Sequence, residues 1–222
     1  MPLLLHRKLP NTGEIGLWRI TETEDFFLDR MVLTLPEEKR LAEIKGHRRL
    51  EWLSSRWLLH IMSGRSIRSA CLHDSFGKPY IANSSFEISI SHSKELAAVM
   101  AAPRSVGIDI QKLVTKIGRI EYKFMREIES KSLEIESRIP HLHIYWGAKE
   151  ALYKAYGRKK LDFKAHIHIQ PFSFNPYSGR FYGAIHKEDF SAHYSLWYEN
   201  IEDYILVYAI EEGQSEAPPS NH

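Results

Sequence analysis

The sequence has few of the features that mark disulfide-stabilised, zinc-binding or membrane proteins. Its one cysteine, Cys71, excludes an intramolecular disulfide and supplies too few thiolates for a structural zinc site. No run approaches the ~18 apolar residues that would span a bilayer. The opening segment, MPLLLHRKLP, lacks the apolar core of a signal peptide. These absences predict a cytoplasmic protein that does not enter membranes.

The sequence also has little excess of one sign of charge over the other. The formal net charge is +2, which is too mild to indicate a nucleic-acid-binding protein. A chain of 222 residues with 43% hydrophobic residues can bury one large core or two small ones. There is no parallel βαβ rhythm with a glycine-rich phosphate loop, so the sequence does not favour a nucleotide-loop enzyme.

Alternation of apolar and polar residues predicts an α+β fold with antiparallel strands. FEISISHS (86–93) followed by ELAAVMAA (95–102) is typical of a hairpin, and helices are predicted on either side of it. A short helix is predicted after a capping box at Thr21-x-x-Glu24. A longer helix is predicted at 36–62, with a weak point at Gly46. Two more are predicted around 121–137 and, after a break at Ile139-Pro140, at 144–157. Further strands are predicted at 15–20 and near 165–171, 180–187, 191–199 and 203–211.

Each half of the chain therefore combines helices with a small antiparallel sheet. Pro103-Arg104-Ser105 separates the halves. We predict an N-terminal lobe at 1–104, a C-terminal lobe at 105–211 and a flexible tail at 212–222.

The strand VGIDIQK (106–112) has one apolar face and one polar face. Its polar face carries Gly107, Asp109 and Gln111, so a carboxylate and a carboxamide point the same way beside a glycine that leaves room above the backbone. This pattern indicates an oxygen-bearing patch that holds a ligand.

The helix at 144–157 carries a second polar pattern. Trp146, Glu150 and Lys154 stack at i, i+4 and i+8, although Glu150 and Lys154 also have the order of an ordinary helix salt bridge. Lys149 falls near the apolar centre of the helix, where its ammonium group needs a partner. An anion beside the helix would supply one.

Basic residues and histidines leave alternatives open. Lys45, His47, Arg48, Arg49 and Arg56 crowd into one helical stretch, as either a solvated face or a binding patch. The pairs His141-x-His143 and His166-x-His168 have the spacing of some metal sites in extended segments. Neither pair has a nearby cysteine or acidic ligand, so surface histidines are the favoured interpretation. Ser91-His92 is not a hydrolase dyad, because adjacent strand residues point to opposite faces.

Three motifs occur in a recognisable order: SISHS at 89–93, VGIDIQK at 106–112 and WGAKEALYK at 146–154. With the FGKP turn at 76–79, the sequence resembles the 4′-phosphopantetheinyl transferases, specifically the longer, two-lobed surfactin-synthetase-activating type. The W-x-x-K-E-A-x-x-K pattern is the most specific part of this similarity.

The resemblance implies two pseudo-symmetric lobes with coenzyme A in the cleft between them. It also implies transfer of the 4′-phosphopantetheine arm from coenzyme A to a serine of an apo acyl or peptidyl carrier protein, with release of adenosine 3′,5′-bisphosphate. Mg²⁺ is the implied metal, with Mn²⁺ as an alternative. Because one chain would supply both sides of the cleft, a monomer is expected.

The resemblance also assigns roles within the C-terminal lobe. Asp109 and Glu150 are the implied magnesium ligands, with Gln111 as a weak or water-mediated ligand where family members often have an acidic residue. Glu150 would help to deprotonate the serine, Lys154 would neutralise the phosphoryl group, and Lys149 would bind the pyrophosphate. Two carboxylates in one metal-free cleft are expected to repel each other.

Coenzyme A contacts are implied around the 3′-phosphate and adenine: Lys78, Ser91 and His92, with Arg48 and Arg56 as further candidates for the phosphate. Glu129, or Glu127 if the alignment shifts by two residues, occupies a further acidic position of the family.

Two other functional classes stay open. A non-catalytic coenzyme A or carrier-protein binding homologue would keep the basic cleft without turnover, but the intact pair Asp109 and Glu150 argues against it. A different magnesium-dependent phosphotransferase should have a nucleotide loop.

Overall fold

The computed structural model describes residues 2–9 and 13–213, and within them the strands form two antiparallel sheets. The strands of the first sheet are β1 (Leu3–Leu9), β2 (Gly13–Arg19), β3 (Cys71–His73), β4 (Pro79–Ile81), β5 (Glu87–Ser93) and β6 (Leu96–Ala102). Those of the second are β7 (Val106–Lys112), β8 (Ile167–Ile169), β9 (Ser178–Lys187), β10 (Phe190–Ile201) and β11 (Tyr204–Glu211). The helices are α1 (Glu24–Leu28), α2 (Leu35–Glu43), α3 (Arg48–Ser63), α4 (Glu121–Phe124), α5 (Glu127–Lys131) and α6 (Arg138–Tyr156), with a 3₁₀ helix at Thr115–Ile120.

The two sheets share one topology. Apart from β1, the first sheet has the order β2-β6-β5-β4-β3 and the second has the order β7-β11-β10-β9-β8. In chain order, the long helix α3 lies between β2 and β3, and the long helix α6 lies at the same place between β7 and β8. The predicted α+β fold with two antiparallel sheets is confirmed. The division into domains at residue 104 stays a prediction, and residues 214–222 of the predicted tail lie outside the described residues.

Three apolar cores hold these layers together. One lies between α6 and the second sheet, and another lies between α1–α3 and the first sheet. A third lies between the two sheets and joins β2 and β6 to β7 and β11, through residues such as Leu17, Met100 and Ile108. Because β6 presents the small, fully buried side chains of Ala98 and Ala102 to this third core, the sheets can pack closely.

A row of serines joins β7 to the first sheet. Since β7 is an edge strand of its own sheet, its outward N–H groups need partners. The hydroxyl oxygens of Ser89, Ser91 and Ser93 on β5 supply them. They accept hydrogen bonds from the backbone N–H groups of Ile108, Ile110 and Lys112 at 3.0, 3.2 and 3.3 Å.

The predicted helix at 36–62 is divided where Gly46 was expected to weaken it. Gly46 has a left-handed φ of +62°, which glycine adopts at little cost, and it lies between α2 and α3. The predicted capping box at Thr21-x-x-Glu24 is wrong, because Thr23 precedes α1 and makes no side-chain cap bond. The capping box belongs instead to Thr34 and Glu37 at the start of α2.

The segment before the second long helix also differs from the prediction. Residues 121–137 form the short helices α4 and α5 rather than one helix. Pro140 does not break a helix but lies in the first turn of α6, where its missing N–H costs nothing. His141 and His143 consequently lie on a helix and are buried, so the prediction of an extended segment with surface histidines is wrong for this pair. No helix of the described residues is long and apolar enough to cross a membrane.

Glu37 connects α2 to the start of β3, and its loss should be costly. Its buried carboxylate accepts from Arg68 at 2.5 Å, from Thr34 N at 3.0 Å and from Cys71 N at 3.1 Å. Burial disfavours the charged form, but these donors outweigh it and lower the pKa of Glu37 to about 2. Glu37→Gln should reduce the free energy of unfolding at pH 7 by roughly 2–3 kcal/mol, as measured by urea unfolding.

The sign of the pH dependence follows from the lowered pKa. The contribution of Glu37 is complete above the unfolded-state pKa of about 4.3 and is lost as the pH falls towards 2. The difference in the free energy of unfolding between Glu37→Gln and the parent should therefore become smaller as the pH falls from 5 to 3. The exposed neighbour Glu38 provides the control: a Glu38→Gln variant that loses as much stability would contradict the assignment.

Candidate functional site

The polar face of β7 lies against α6, and two glycines permit the contact. A Cβ atom on Gly107 would lie 1.8 Å from the carbonyl oxygen of Ala151. A Cβ atom on Gly147 would lie 2.9 Å from Nε2 of Gln111. The room above Gly107 is therefore filled by the helix backbone, which corrects the expectation that it is open to a ligand.

Asp109 is the centre of a hydrogen-bonded cluster built from three elements. Its Oδ1 atom accepts from Lys154 Nζ at 2.8 Å and from Ser91 Oγ at 3.0 Å, while Oδ2 accepts from Gln111 Nε2 at 3.2 Å. Lys154 Nζ also donates to Ser91 Oγ at 2.8 Å and to the carbonyl oxygen of Ile108 at 2.9 Å. Residues from β5, β7 and α6 thus meet around one carboxylate that is only 7% exposed.

Glu150 lies one helical turn before Lys154 and is half-buried. Burial raises the pKa of Glu150, the negative charge of Asp109 raises it further, and Lys154 opposes both effects. The charges of Asp109 and Glu150 therefore interact with each other. Lys154 already pairs with Asp109, so the two carboxylates do not face each other uncompensated, which corrects the expectation of unrelieved repulsion.

The donor set at this cluster fits a partial magnesium shell. Within residues 2–9 and 13–213, no group of three or more His, Cys, Asp or Glu side chains is arranged to hold a metal alone. Mg²⁺ is usually bound through one or two carboxylates together with substrate phosphates and water. Asp109 and Glu150 meet that requirement. The carbonyl oxygen of Gln111, Oε1, lies 2.7 Å from His143 Nδ1, so this oxygen already has a partner within the protein.

Lys149 does not lie where a pyrophosphate could reach it. Its ammonium group is fully buried and pairs with Glu129 at 2.8 Å, and it donates to the carbonyl oxygens of Phe163 at 2.9 Å and Ile167 at 3.1 Å. Burial lowers the pKa of Lys149. With its three donors used, Lys149 anchors α6 to the chain around it, which corrects the role predicted for it.

The two candidates for the further acidic position have different environments. Glu129 is fully buried and also accepts from the N–H groups of Arg126 at 2.7 Å and Ile169 at 3.0 Å. Glu127 is exposed and pairs with Lys131 at 2.6 Å. Glu129 is therefore the one of the two that helps to position α6.

A cleft of about 880 Å³ lies between α3, the β3–β4 turn and the end of α6. Its lining is rich in basic side chains and includes four of the predicted coenzyme A residues. These four are Arg48, Arg56, His92 and Lys154, and the other ionisable lining residues are Arg40, Glu43, Lys45, Glu51 and His73. Lys154 thus contacts both the cleft and the Asp109 cluster.

Two N-terminal side chains of the cleft are held in unusual environments. Arg56 is 3% exposed and lies 3.8 Å above the ring of Trp52, and burial lowers the pKa of Arg56 to about 10. It makes no salt bridge within the described part of the chain, and its Nε atom has no partner there. His92 lies 3.2 Å from Glu51, and burial lowers the pKa of His92.

The remaining predicted coenzyme A residues lie outside this lining. Lys78 pairs with Glu87 at 2.7 Å and donates to the carbonyl oxygen of Ala155 at 3.1 Å. Ser91 belongs to the Asp109 cluster, on the strand face opposite to His92 as expected. In the basic stretch, Arg49 pairs with Glu24 at 2.8 Å, so it stabilises the fold rather than the cleft.

Sequence reasoning missed several residues of the site. The cleft is also lined by Arg40, Glu51, Trp52 and His73. Of these, Arg40 could have been predicted, because it lies just before the run of basic residues in the sequence. The prediction of a surface residue at His143 is wrong, because this side chain is 2% exposed and contacts Gln111. The available signal was its spacing of seven residues, about two helical turns, before Glu150.

The C-terminal half of the chain is similar to a known protein family. Residues 105–209 match the family model of the 4′-phosphopantetheinyl transferase superfamily. The match covers just under half of the chain and contains Asp109, Glu150 and Lys154. A search of curated proteins found no match. The resemblance to the superfamily is thus supported for the C-terminal half, and the narrower surfactin-synthetase-activating type stays a prediction.

Asp109 and Lys154 should depend on each other for stability. Asp109→Asn would leave the Lys154 ammonium without its carboxylate, and we expect a loss of ~1–3 kcal/mol in the free energy of unfolding because Lys154 is only partly exposed. The double variant Asp109→Asn/Lys154→Met removes both charges and should be more stable than Asp109→Asn alone. Metal-free chemical unfolding tests this, and additive losses would show that the pair is not coupled.

Proposed function

We propose that the protein transfers the 4′-phosphopantetheine arm of coenzyme A to a serine of an apo acyl or peptidyl carrier protein. The arrangement of Lys154 carries this proposal. Lys154 lies within the residues matched to the superfamily, pairs with Asp109 and lines a basic cleft large enough for an extended anionic ligand. A diphosphate placed beside Lys154 would have further basic side chains along the same cleft.

The chemistry asks for a base and for a positive charge. The serine oxygen forms a bond to phosphorus, the bond from phosphorus to the leaving oxygen of adenosine 3′,5′-bisphosphate breaks, and the serine proton must be taken up. We assign the proton to Glu150, directly or through a water molecule, because Glu150 is a half-buried carboxylate one helical turn before Lys154. Lys154 would stabilise negative charge on the phosphoryl oxygens.

Asp109 and Glu150 would hold the metal ion, for which Mg²⁺ is the best fit and Mn²⁺ an alternative. The ion would supply positive charge to the pyrophosphate oxygens and reduce their repulsion from the two carboxylates. The chain's own part is to keep both carboxylates at the end of the cleft. Ser91 and Gln111 do this for Asp109 through their hydrogen bonds.

The N-terminal side of the cleft would bind the nucleotide end of coenzyme A. Arg56 is a buried cation without a carboxylate partner among the described residues, and such a group is satisfied well by a phosphate. Arg48 is exposed and lines the same cleft, and so does His92. We therefore assign the 3′-phosphate to Arg48 and Arg56.

Transfer should depend strongly on Glu150 and Lys154. We expect Glu150→Gln and Lys154→Ala each to lower the rate at least ~10²-fold, the usual scale for removing a base or a charge stabiliser. The measurement is the mass gain of a panel of apo carrier proteins incubated with coenzyme A, Mg²⁺ and the protein. Exposed residues remote from the cluster provide matched controls, Glu188→Gln and Lys131→Ala.

The outcomes of the mass assay separate the candidate functions. Near-parent transfer by Glu150→Gln or Lys154→Ala would remove that residue from its assigned role. Tight binding of coenzyme A by the parent, without any mass gain on a carrier that a known transferase modifies, would instead favour a non-catalytic binding homologue.

The 3′-phosphate should contribute measurably to binding. Calorimetry should find that coenzyme A binds about 10–100-fold more tightly than 3′-dephospho-coenzyme A, which corresponds to the ~1.5–3 kcal/mol of a charge-assisted hydrogen bond. Arg48→Ala should narrow this difference. Lys39→Ala provides the control, because Lys39 is exposed on α2 and does not line the cleft. Equal affinities of the parent for the two ligands would refute the assignment of the phosphate.

A further inference from the structure

The side-chain carboxamide of Gln111 is held from two sides within the protein. Its Nε2 atom lies 3.0 Å from the carbonyl oxygen of His143 and 3.2 Å from Asp109 Oδ2. Its Oε1 atom lies 2.7 Å from Nδ1 of His143. Every polar atom of this side chain therefore has a partner in the protein.

The chemistry of these partners fixes which way the carboxamide points. A backbone carbonyl and a carboxylate can only accept hydrogen bonds, so the group that faces both must be the NH₂ group of Gln111. The reversed amide would place its oxygen against two acceptors and would leave both hydrogen bonds unmade. The carbonyl oxygen of Gln111 consequently points away from Asp109.

His143, on α6, holds the other end of the Gln111 carboxamide. Because Gln111 Oε1 can only accept, the proton between the two side chains must be on Nδ1 of His143. The other ring nitrogen, Nε2, lies 3.0 Å from both the N–H group and the carbonyl oxygen of Val114, and with the proton on Nδ1 it accepts from the N–H group. Since His143 is 2% exposed, water competes little for these bonds.

We propose that His143 is a positioning residue that turns Gln111 from a metal ligand into a hydrogen-bond donor to Asp109. The divalent cation of the proposed function would then have two protein ligands, Asp109 and Glu150. Gln111 would act by holding the Asp109 carboxylate in place. This inference rests on the proposed function for its catalytic consequence, whereas the Gln111–His143 arrangement is a property of the free protein.

The free protein gives the first test. In protein labelled with ¹⁵N-histidine, long-range ¹⁵N–¹H correlation spectra should show His143 with its proton on Nδ1, and the signal is assigned by its loss in His143→Asn. A proton on Nε2 alone would overturn the proposal. This readout needs neither metal, coenzyme A nor carrier protein.

Metal binding gives the second test. Electron paramagnetic resonance measures the Mn²⁺ concentration that half-saturates the protein in the presence of coenzyme A. His143→Gln and Gln111→Met should each raise it about tenfold, within the range for loss of a residue that orients a metal ligand. The double variant should be no worse than either single variant, because both act through one hydrogen-bonded unit. Multiplying effects, or a loss confined to Gln111→Met, would instead identify Gln111 as an independent ligand.

Two replacements of His143 distinguish positioning from general damage. Asparagine puts its NH₂ group at the place of Nδ1 and should bring the Mn²⁺ requirement back to within about twofold of the parent. Glutamine puts its polar atoms at the place of Nε2 and should not. Equal defects in both, with equal unfolding free energies, would show that His143 is merely structural. If the parent protein does not transfer the arm to any carrier, the proposed function fails, while the position of the proton still decides the arrangement of Gln111 and His143.

Discussion

The free edge of β7 is the constraint on which the rest of the structure depends. An edge strand buried against another sheet must find partners for its N–H groups, and here the partners are side chains rather than a neighbouring backbone. Ser89, Ser91 and Ser93 alternate along β5, so each reaches an N–H group two residues further along β7. The sheets are joined at a defined register, which brings Ser91 beside Asp109.

Charge in the interior is handled differently at the two lysines of α6. Lys149 is fully buried and satisfied by Glu129 and two backbone carbonyls, an arrangement that fixes the helix and leaves nothing to a ligand. Lys154 is 27% exposed and shares Asp109 with Ser91 and Gln111. Its ammonium group also lines the basic cleft. Two lysines five residues apart thus serve separate purposes.

The strongest patterns of the sequence predicted the fold well. Alternation located β5, β6, β7 and the last strands, and the glycines at 46 and 157 lie where helices end. Errors arose where context overrode a local signal. Pro140 was read as a break although proline is compatible with a first helical turn. The strand β1 was missed since its alternation is short and basic, and its pairing with β2 is a tertiary property.

The sequence by itself determined which residues form the polar patches, because the spacing of Asp109 and Gln111 on a strand and of Glu150 and Lys154 on a helix follows from backbone periods. Only the tertiary structure decided which of these groups are free. The partners of Lys149, Gln111 and Lys78 lie 20, 32 and 9 residues away in the chain, at Glu129, His143 and Glu87. Hydrogen bonds over such separations depend on how helices and sheets pack, and no local pattern records them.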